Sequence, residues 1–231
     1  MAGIITMADH TSHLLRLMHL VSPSLPTGAF AYSQGLEWAV EAGWVESAMD
    51  LQAWLADLLE TNLSRVDIPL LARLMEAFEK QSEADLTHWT DLLLALRETD
   101  ELRLEEKSRG RAMVSLLQGL AVPMQTIEQQ IVGTSQLAGF AMAATHFRIP
   151  TDQAVAGYVW SWLENQVLAG IKIIPLGQTE GHRILLHLDA TVLKAVADGL
   201  NLRDNEIGAS SPALAIASSR HETQYTRLYR S

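Results

Sequence analysis

The chain has 231 residues, of which 48% are hydrophobic and 19% are charged, and its formal net charge is −10. This size and composition predict a globular protein with a sizeable core and exclude a wholly disordered chain. The acidic balance argues against general nucleic-acid binding, and the lack of cysteine excludes disulfides and thiolate chemistry while permitting a reducing cytoplasm.

The beginning of the chain combines a short polar segment with a constrained loop. Residues 1–10 are predicted to be a flexible N-terminus. Residues 1–9 lack the basic and apolar regions of a secretory signal, so no such signal is predicted there. The segment 22–28 contains two prolines, which fix φ, and ends in a glycine that is free to take positive φ. A rigid loop before the aromatic segment 29–38 suits a partner surface and a simple helix corner equally well.

Helical periodicity then dominates, and three amphipathic helices are predicted in succession. Residues 51–59 carry an apolar stripe at helical spacing, and Ser47 stands before them at the start of a capping box. Asp67 is predicted to cap the next helix, with Pro69 in its first turn, and Ser82 to begin the third.

A strongly charged helix is predicted over residues 97–111. The pairs Arg97/Glu101 and Glu105/Arg109 are four positions apart, where each pair stabilises a helix by about 0.2–0.5 kcal/mol. We interpret the helix as a solvated, salt-bridged face. A polar rim for a partner and an acid/base pair of carboxylates are the alternatives.

The second half of the chain is predicted to be helical up to residue 198. Residues 126–147 form one buried helix, since the uncharged stretch within it is too polar for a simple membrane span. A helix from 151 to about 171, a turn containing proline and glycine, and a helix over 179–198 follow. The fold class is therefore all-α, with residues 11–198 forming a single-domain bundle of about nine or ten helices.

Residues 199–231 are predicted to form a loop, a short helix over 212–217 and a C-terminal tail. The last fourteen residues, 218–231, contain three arginines, one glutamate and two tyrosines, although the protein is acidic overall. Arginine and tyrosine dominate interface hot spots, so we interpret the tail as a docking segment. A solvated end, or a tail folded back on the acidic body of the protein, are the alternatives.

Common catalytic and metal-binding patterns are missing from the sequence. It has no P-loop, no HExxH motif and no cysteine nucleophile, and its eight histidines are scattered. We therefore predict no catalytic residue, no metal-binding residue and no cofactor of its own.

Five sequence motifs follow one another along nearly the whole chain. They are LVSPSLPTGAFAYSQGLEWAVEAGWV at 20–45, DIPLLARL at 67–74, RETDELRLEEKSRG at 97–110, KIIPLGQTEGHR at 172–183 and LAIASSRHETQYTRLYRS at 214–231. In this order and spacing they resemble the UreF family of urease accessory proteins. The departures from the family pattern, at Ala31, His182 and Ser219, remove no charge and break no motif.

The resemblance implies an all-helical cytoplasmic protein that typically dimerises and has no catalytic centre of its own. It implies binding to UreD, called UreH in some systems, and to the GTPase UreG, in an assembly that acts on apo-urease and delivers nickel to it. Nickel is then cargo of the complex, and neither nucleic acid nor a membrane is an expected partner. Two views of the family's influence on UreG, a GTPase-activating protein and a checkpoint, stay open.

The resemblance also implies partner-binding residues. It places the contact with UreD on the tail, which we expect UreD to order, at Arg220, His221, Glu222, Tyr225, Arg227, Tyr229 and Arg230. Lys172 matches a motif lysine that is associated with the surface facing UreG. Tyr32, Glu37 and Gln178 are further candidates for partner binding, and a structural role explains each of them equally well.

Overall fold

The computed structural model describes the backbone of residues 7–231 and the side chains of residues 11–231. Within these limits the fold is all-α and has no strand. The α-helices are α1 (Met7–Leu20), α2 (Leu36–Glu41), α3 (Ala48–Leu58), α4 (Ile68–Lys80), α5 (Glu83–Leu96), α6 (Asp100–Gly119), α7 (Thr126–Thr134), α8 (Gln136–His146), α9 (Thr151–Ile173), α10 (Gln178–Leu200) and α11 (Pro212–His221). A π-helical stretch, Leu59–Asp67, joins α3 to α4, so this part of the chain has ten separate helices and confirms the predicted bundle.

Of the predicted flexible N-terminus, residues 1–6 lie outside the described residues, and residues 7–10 already belong to α1. The predicted division of the chain into a helical core over residues 11–198 and a partner-binding region over residues 199–231 stays a prediction.

Helix α4 lies at the centre of the bundle, where it packs against α5, α8, α9 and α10. Its Ile68, Leu71 and Leu74 are fully buried in one large cluster of apolar side chains. Burial of this apolar surface is the main stabilising contribution to such a fold. Between residues 7 and 231, no helix combines the length and the apolar character that crossing a membrane requires.

The local signals for turns and helix starts are confirmed. Ser47 and Ser82 begin α3 and α5, and the hydroxyl of each accepts a hydrogen bond from the backbone N–H three residues on. Gly28 has a φ of 73°, as expected of the glycine that closes the constrained loop. These features depend only on neighbouring residues, which is why the sequence predicts them.

The predicted helix cap at Asp67 is wrong. Asp67 has helical backbone angles and no capping hydrogen bond, because the π-helical stretch carries the chain from α3 into α4 without a break. Its carboxylate is buried and accepts two hydrogen bonds from the Arg97 guanidinium, at 2.7 and 3.0 Å. The side chain that looks like a cap is therefore one partner in a buried ion pair.

The predicted single helix over 126–147 is in fact two helices, α7 and α8. The chain is extended at Ser135, whose hydroxyl caps α8 by accepting a hydrogen bond from Ala138 N–H at 3.1 Å. The Glu106 carboxylate stabilises the break, because its Oε2 accepts hydrogen bonds from Ser135 Oγ at 3.2 Å and from Gln136 N–H at 3.0 Å. Helix α6 also passes so close at Gly110 that a Cβ there would overlap the backbone of α7.

Candidate functional site

The C-terminal tail, residues 218–231, folds back on the protein instead of extending into solvent. Arg230 N–H donates to the Ala31 carbonyl oxygen at 2.8 Å. The backbone oxygen of Ser231 accepts from both the N–H and the hydroxyl of Ser33, at 2.8 and 2.6 Å. Of the three interpretations of the tail, the structure supports the one in which it folds back on the body of the protein. This arrangement leaves the outer side of the tail exposed, where a partner could meet it.

The carboxylate of Glu37, on the short helix α2, lies beneath the tail and is only 6% exposed. Its Oε1 accepts a hydrogen bond from Leu228 N–H at 2.7 Å, and its Oε2 accepts one from Tyr229 N–H at 2.9 Å. The Nε2 of His221 is a third neighbour, 3.2 Å from Oε2. Bonds to an ionised acceptor are roughly twice as strong as neutral ones, so Glu37 is a strong anchor for the tail.

His221, at the end of α11, is completely buried between two glutamates. Its Nδ1 lies 2.7 Å from Oε2 of Glu101, on the side opposite to Glu37. Each ring nitrogen of His221 thus faces a carboxylate oxygen, and an ionised carboxylate can only accept. Arg227 adds a cation, with its Nη1 2.8 Å from Oε1 of Glu101. The inner side of the tail thus supplies two basic groups to two buried acids.

Glu222 attaches the tail to the start of α6. Its Oε1 accepts hydrogen bonds from the N–H groups of Asp100 and Glu101, at 3.0 and 3.4 Å. These are free donors in the first turn of the helix, where the helix dipole also favours a negative charge. The hydroxyls of Thr99 and Ser218 are 2.7 Å apart and add a contact at the same place.

A second polar cluster surrounds Glu105, one turn further along α6. Arg109 donates to Glu105 at 2.7 Å, which confirms one of the predicted pairs. The Gln34 amide donates to Glu105 at 3.1 Å and accepts from the Trp162 indole at 2.8 Å. Gln34 has a φ of 52°, a left-handed conformation that is uncommon for a residue with a side chain, so these bonds hold it in a costly backbone geometry.

The third cluster centres on Arg97, between α5 and α6. Its Nη2 is 2.7 Å from both Asp67 and Glu106, and the Tyr158 hydroxyl donates to Asp67 at 3.0 Å. Burial acts to lower the pKa of Arg97, but the two carboxylates outweigh it and hold that pKa well above its ordinary value. Burial, assisted by the same carboxylates, raises the pKa of Tyr158 well above its ordinary value.

These clusters correct the interpretation of α6 as a solvated face. Glu101, Glu105 and Glu106 are buried, because the tail, the 29–38 segment and α8 cover that side of the helix. The predicted pair of Arg97 with Glu101 is wrong, since Arg97 lies before α6 begins and turns to Asp67 and Glu106.

The buried carboxylates of α6 also bear on the acid/base alternative. Each of them is engaged by a donor from outside α6, an arrangement that holds and orients segments. Within the described part of the chain, no three histidine, aspartate or glutamate side chains are grouped so as to hold a metal ion.

The outer side of the tail has a different character. Tyr225 is fully exposed and Leu228 is 73% exposed, and Arg220 and Arg230 also face solvent. Trp44, three residues after α2 ends, is also exposed and lines one groove with Arg220 and Tyr225, so apolar and basic groups are exposed together on an acidic protein.

The structure separates the predicted partner-binding residues into three groups. Tail residues Arg220, Tyr225 and Arg230 are exposed, and Glu222 and Arg227 are exposed but engaged with α6. Glu37, His221, Tyr229 and Tyr32 are buried, and Tyr32 offers its backbone oxygen to Asn165 at 3.2 Å. Lys172 and Gln178 are exposed on the turn between α9 and α10, and no described contact joins them to the tail.

Sequence reasoning missed Glu101 and Glu105 as the groups that receive the tail. The available signal was their spacing of four residues, which places both on one helix face. The basic and polar residues of the tail that meet this face are more than a hundred positions away.

The fold and the site define a class: an all-helical protein whose buried acids hold its own C-terminal segment and present that segment's outer side. The sequence model of the UreF family matches residues 45–189. The chain is 47% identical over 228 residues to the urease accessory protein UreF of Alcanivorax borkumensis, covering 96% of this chain and 100% of the relative. It is 47% identical over 218 residues to the protein of that name from Pseudomonas putida strain GB-1, covering 94% and 97%. The chain belongs to the UreF family of urease accessory proteins, which confirms the predicted resemblance.

Proposed function

We propose that the protein is a non-catalytic cytoplasmic scaffold for nickel insertion into apo-urease. It binds UreD (UreH) through the outer side of its tail and recruits or regulates the GTPase UreG. Its membership of a family of urease accessory proteins supports the general role. The observation that carries the proposal is the tail itself, which is anchored from below and exposes tyrosine, leucine and arginine above.

The outer side of the tail suits a protein partner. Tyr225 and Leu228 together offer apolar area that a partner can remove from water, and exposed apolar groups set among polar ones mark interaction sites. Arg220 and Arg230 add the charge and planar hydrogen-bonding groups that are enriched in hot spots. Because the tail is already tied to the body, docking loses less conformational entropy than it would for a free tail.

A separate surface is proposed for UreG, on the turn between α9 and α10. Lys172 lies in the last turn of α9 and is exposed, and Gln178 begins α10 close by in sequence. A lysine at this place is a mobile positive charge that an acidic group of the GTPase can meet. Two distinct surfaces would let one protein hold UreD and UreG together.

A homodimer is the third part of the proposal. Helices α1 and α9 leave an open apolar groove between them, with Leu14, Met18 and Trp160 partly exposed along it. A second copy of the chain would cover these side chains. Nickel is cargo in this assembly, and the chain is proposed to need no cofactor of its own.

Co-purification tests the scaffold proposal. Tagged full-length protein is expressed with UreD, and separately with UreD and UreG together. The molar mass of each captured complex is measured by light scattering. We expect UreD to be retained by the full-length chain, and UreG retention to fall in Lys172→Ala while UreD retention is unchanged. Failure to retain UreD under conditions in which UreD is soluble would contradict the proposal.

A further inference from the structure

We propose that Glu37 is a positioning residue that shapes the tail for its partner: its carboxylate acts as an internal template that decides which tail side chains face outward. The inference rests on the proposed docking function of the tail. Glu37 is buried, so it acts through the conformation of the tail and not by touching a partner.

Three groups of the tail converge on the Glu37 carboxylate. Leu228 N–H, Tyr229 N–H and the His221 ring all meet it, at 2.7, 2.9 and 3.2 Å. By comparison, Glu105 meets the tail only through the Ser231 hydroxyl, at 3.4 Å. The Glu101 carboxylate meets side chains of the tail, those of His221 and Arg227, and none of its backbone N–H groups. Glu37 is thus the acid that orders the tail's backbone.

The Glu37 carboxylate also sets the direction of the neighbouring tail side chains. Two successive N–H groups that converge on one anion form a concave backbone turn around it. This turn sends the Tyr229 side chain inward, where it is 7% exposed, and leaves the Leu228 side chain outward, at 73%. These two N–H groups make no other described hydrogen bond, so Glu37 is the acceptor that sets their direction, while packing of the Tyr229 ring in the core and the bond from Arg230 N–H to Ala31 hold the neighbouring positions.

Glu37 is itself held in place by the packing of α2 against α11. Helix α2 begins after Gly35, which has a φ of 81°, and α11 passes against it so closely that a Cβ on Gly35 would lie 2.7 Å from Ser218 N. This close approach places the carboxylate directly under the segment that leaves α11. The Ser33 hydroxyl, which accepts from Glu37 N–H at 3.3 Å, also donates to Ser231, so the template and the end of the tail share a support.

Glu37→Gln tests the template, because it keeps the size of the side chain and removes its charge. A carboxamide has one accepting oxygen, and its NH₂ group would face donors of the tail. Backbone amide exchange is measured by NMR on the full-length chain. We expect the Leu228 and Tyr229 amides to exchange about tenfold faster than in the wild type, with unchanged exchange in α4. We expect the affinity for UreD, the partner used above, to fall about tenfold as well.

Glu46→Gln is the matched control, since it makes the same chemical change at an exposed site soon after α2. It is expected to leave the exchange rates of the Leu228 and Tyr229 amides and the affinity for UreD unchanged. Glu37→Asp keeps the charge on a shorter side chain. In this variant the Leu228 and Tyr229 amides are expected to exchange more slowly than in Glu37→Gln. The aspartate variant also serves if the glutamine variant proves too unstable to measure.

Unprotected Leu228 and Tyr229 amides in the wild type would overturn the inference, and so would unchanged exchange in Glu37→Gln. Faster tail exchange with unaltered UreD affinity would also overturn it. Failure of the proposed docking function is distinguishable: outer-side variants of the tail would then bind UreD normally while their Leu228 and Tyr229 amides stay protected.

Discussion

Nδ1 of His221 lies 2.7 Å from Oε2 of Glu101, although the two residues are 120 positions apart. The contact closes a row of alternating acidic and basic side chains in which Glu37, His221, Glu101 and Arg227 follow one another. A buried carboxylate without a partner is costly, so the bundle and the tail depend on each other. The tail is a structural element on its inner side, and its outer side is the surface that we propose for docking.

Replacement of His221 by alanine is expected to lower the free energy of unfolding by about 3 kcal/mol, because two buried glutamates lose the group between them. Urea unfolding followed by circular dichroism measures the change. His88→Ala, an exposed histidine on α5, is the control and should shift the free energy by no more than about 0.5 kcal/mol. Equal effects of the two variants would contradict a buried role for His221.

This dependence also changes what a truncation would report. Residues 220–231 contain few apolar side chains, but their removal is expected to lower stability, since His221, Tyr229 and Ser231 are buried with the core. Point variants on the outer side are therefore the better probe of docking.

Gly110→Ala is expected to lower the free energy of unfolding by about 1–3 kcal/mol, because the added Cβ would overlap the backbone of α7 where α6 crosses it. Gly119, on the same helix, has open space around it. Gly119→Ala should therefore be neutral or stabilising by up to about 1 kcal/mol. A difference of less than about 0.5 kcal/mol between the two variants, by urea unfolding, would argue against this close helix crossing.

Tyr158 makes stability depend on pH at the alkaline end. Its pKa is raised well above the ordinary value in the folded protein by burial and by Asp67 and Glu106. Above about pH 10 the unfolded chain releases this proton while the folded chain keeps it, so stability falls as pH rises. Tyr158→Phe removes this contribution.

The check is the free energy of unfolding of wild type and Tyr158→Phe at neutral pH and above pH 10. At neutral pH the phenylalanine variant should be less stable by about 1–2 kcal/mol, because Asp67 loses a donor. The difference in the free energy of unfolding between the two proteins should become smaller above pH 10. A difference that stays constant or grows would contradict a raised pKa of Tyr158 in the folded protein.

The influence on UreG is tested by single-turnover GTP hydrolysis with and without the full-length protein. A scaffold leaves the rate equal in the two reactions. A rate increase that depends on Arg220 or Arg230 would favour the GTPase-activating alternative, since an arginine donated to bound nucleotide speeds hydrolysis by about 10³–10⁵.

Features governed by neighbouring residues were predictable from the sequence. Ser47 and Ser82 are caps because their hydroxyls reach the N–H three residues on, and the small and apolar residues of α8 mark a buried helix. The motifs that carry the family resemblance are runs of neighbouring residues, so they too are visible in the sequence.

Features governed by distant partners were not predictable. Asp67 resembles a cap, yet its partner Arg97 is 30 positions away, and the break at Ser135 depends on Glu106. The burial of Glu101 requires the tail to fold back over α6. Local pairing rules treat α6 as an isolated helix, and an isolated helix with this sequence would be solvated.

The measurement that tests the docking claim most directly is the affinity of the full-length protein for UreD by calorimetry, with two tail variants and one control. Tyr225→Ala and Leu228→Ala alter the outer side of the tail, and Leu186→Ala removes a leucine of nearly equal exposure, 70% against 73%, from α10. We predict that each tail variant weakens binding about tenfold or more and that Leu186→Ala binds like the wild type. Tail variants that bind as tightly as the wild type would contradict the claim that this tail is the docking surface.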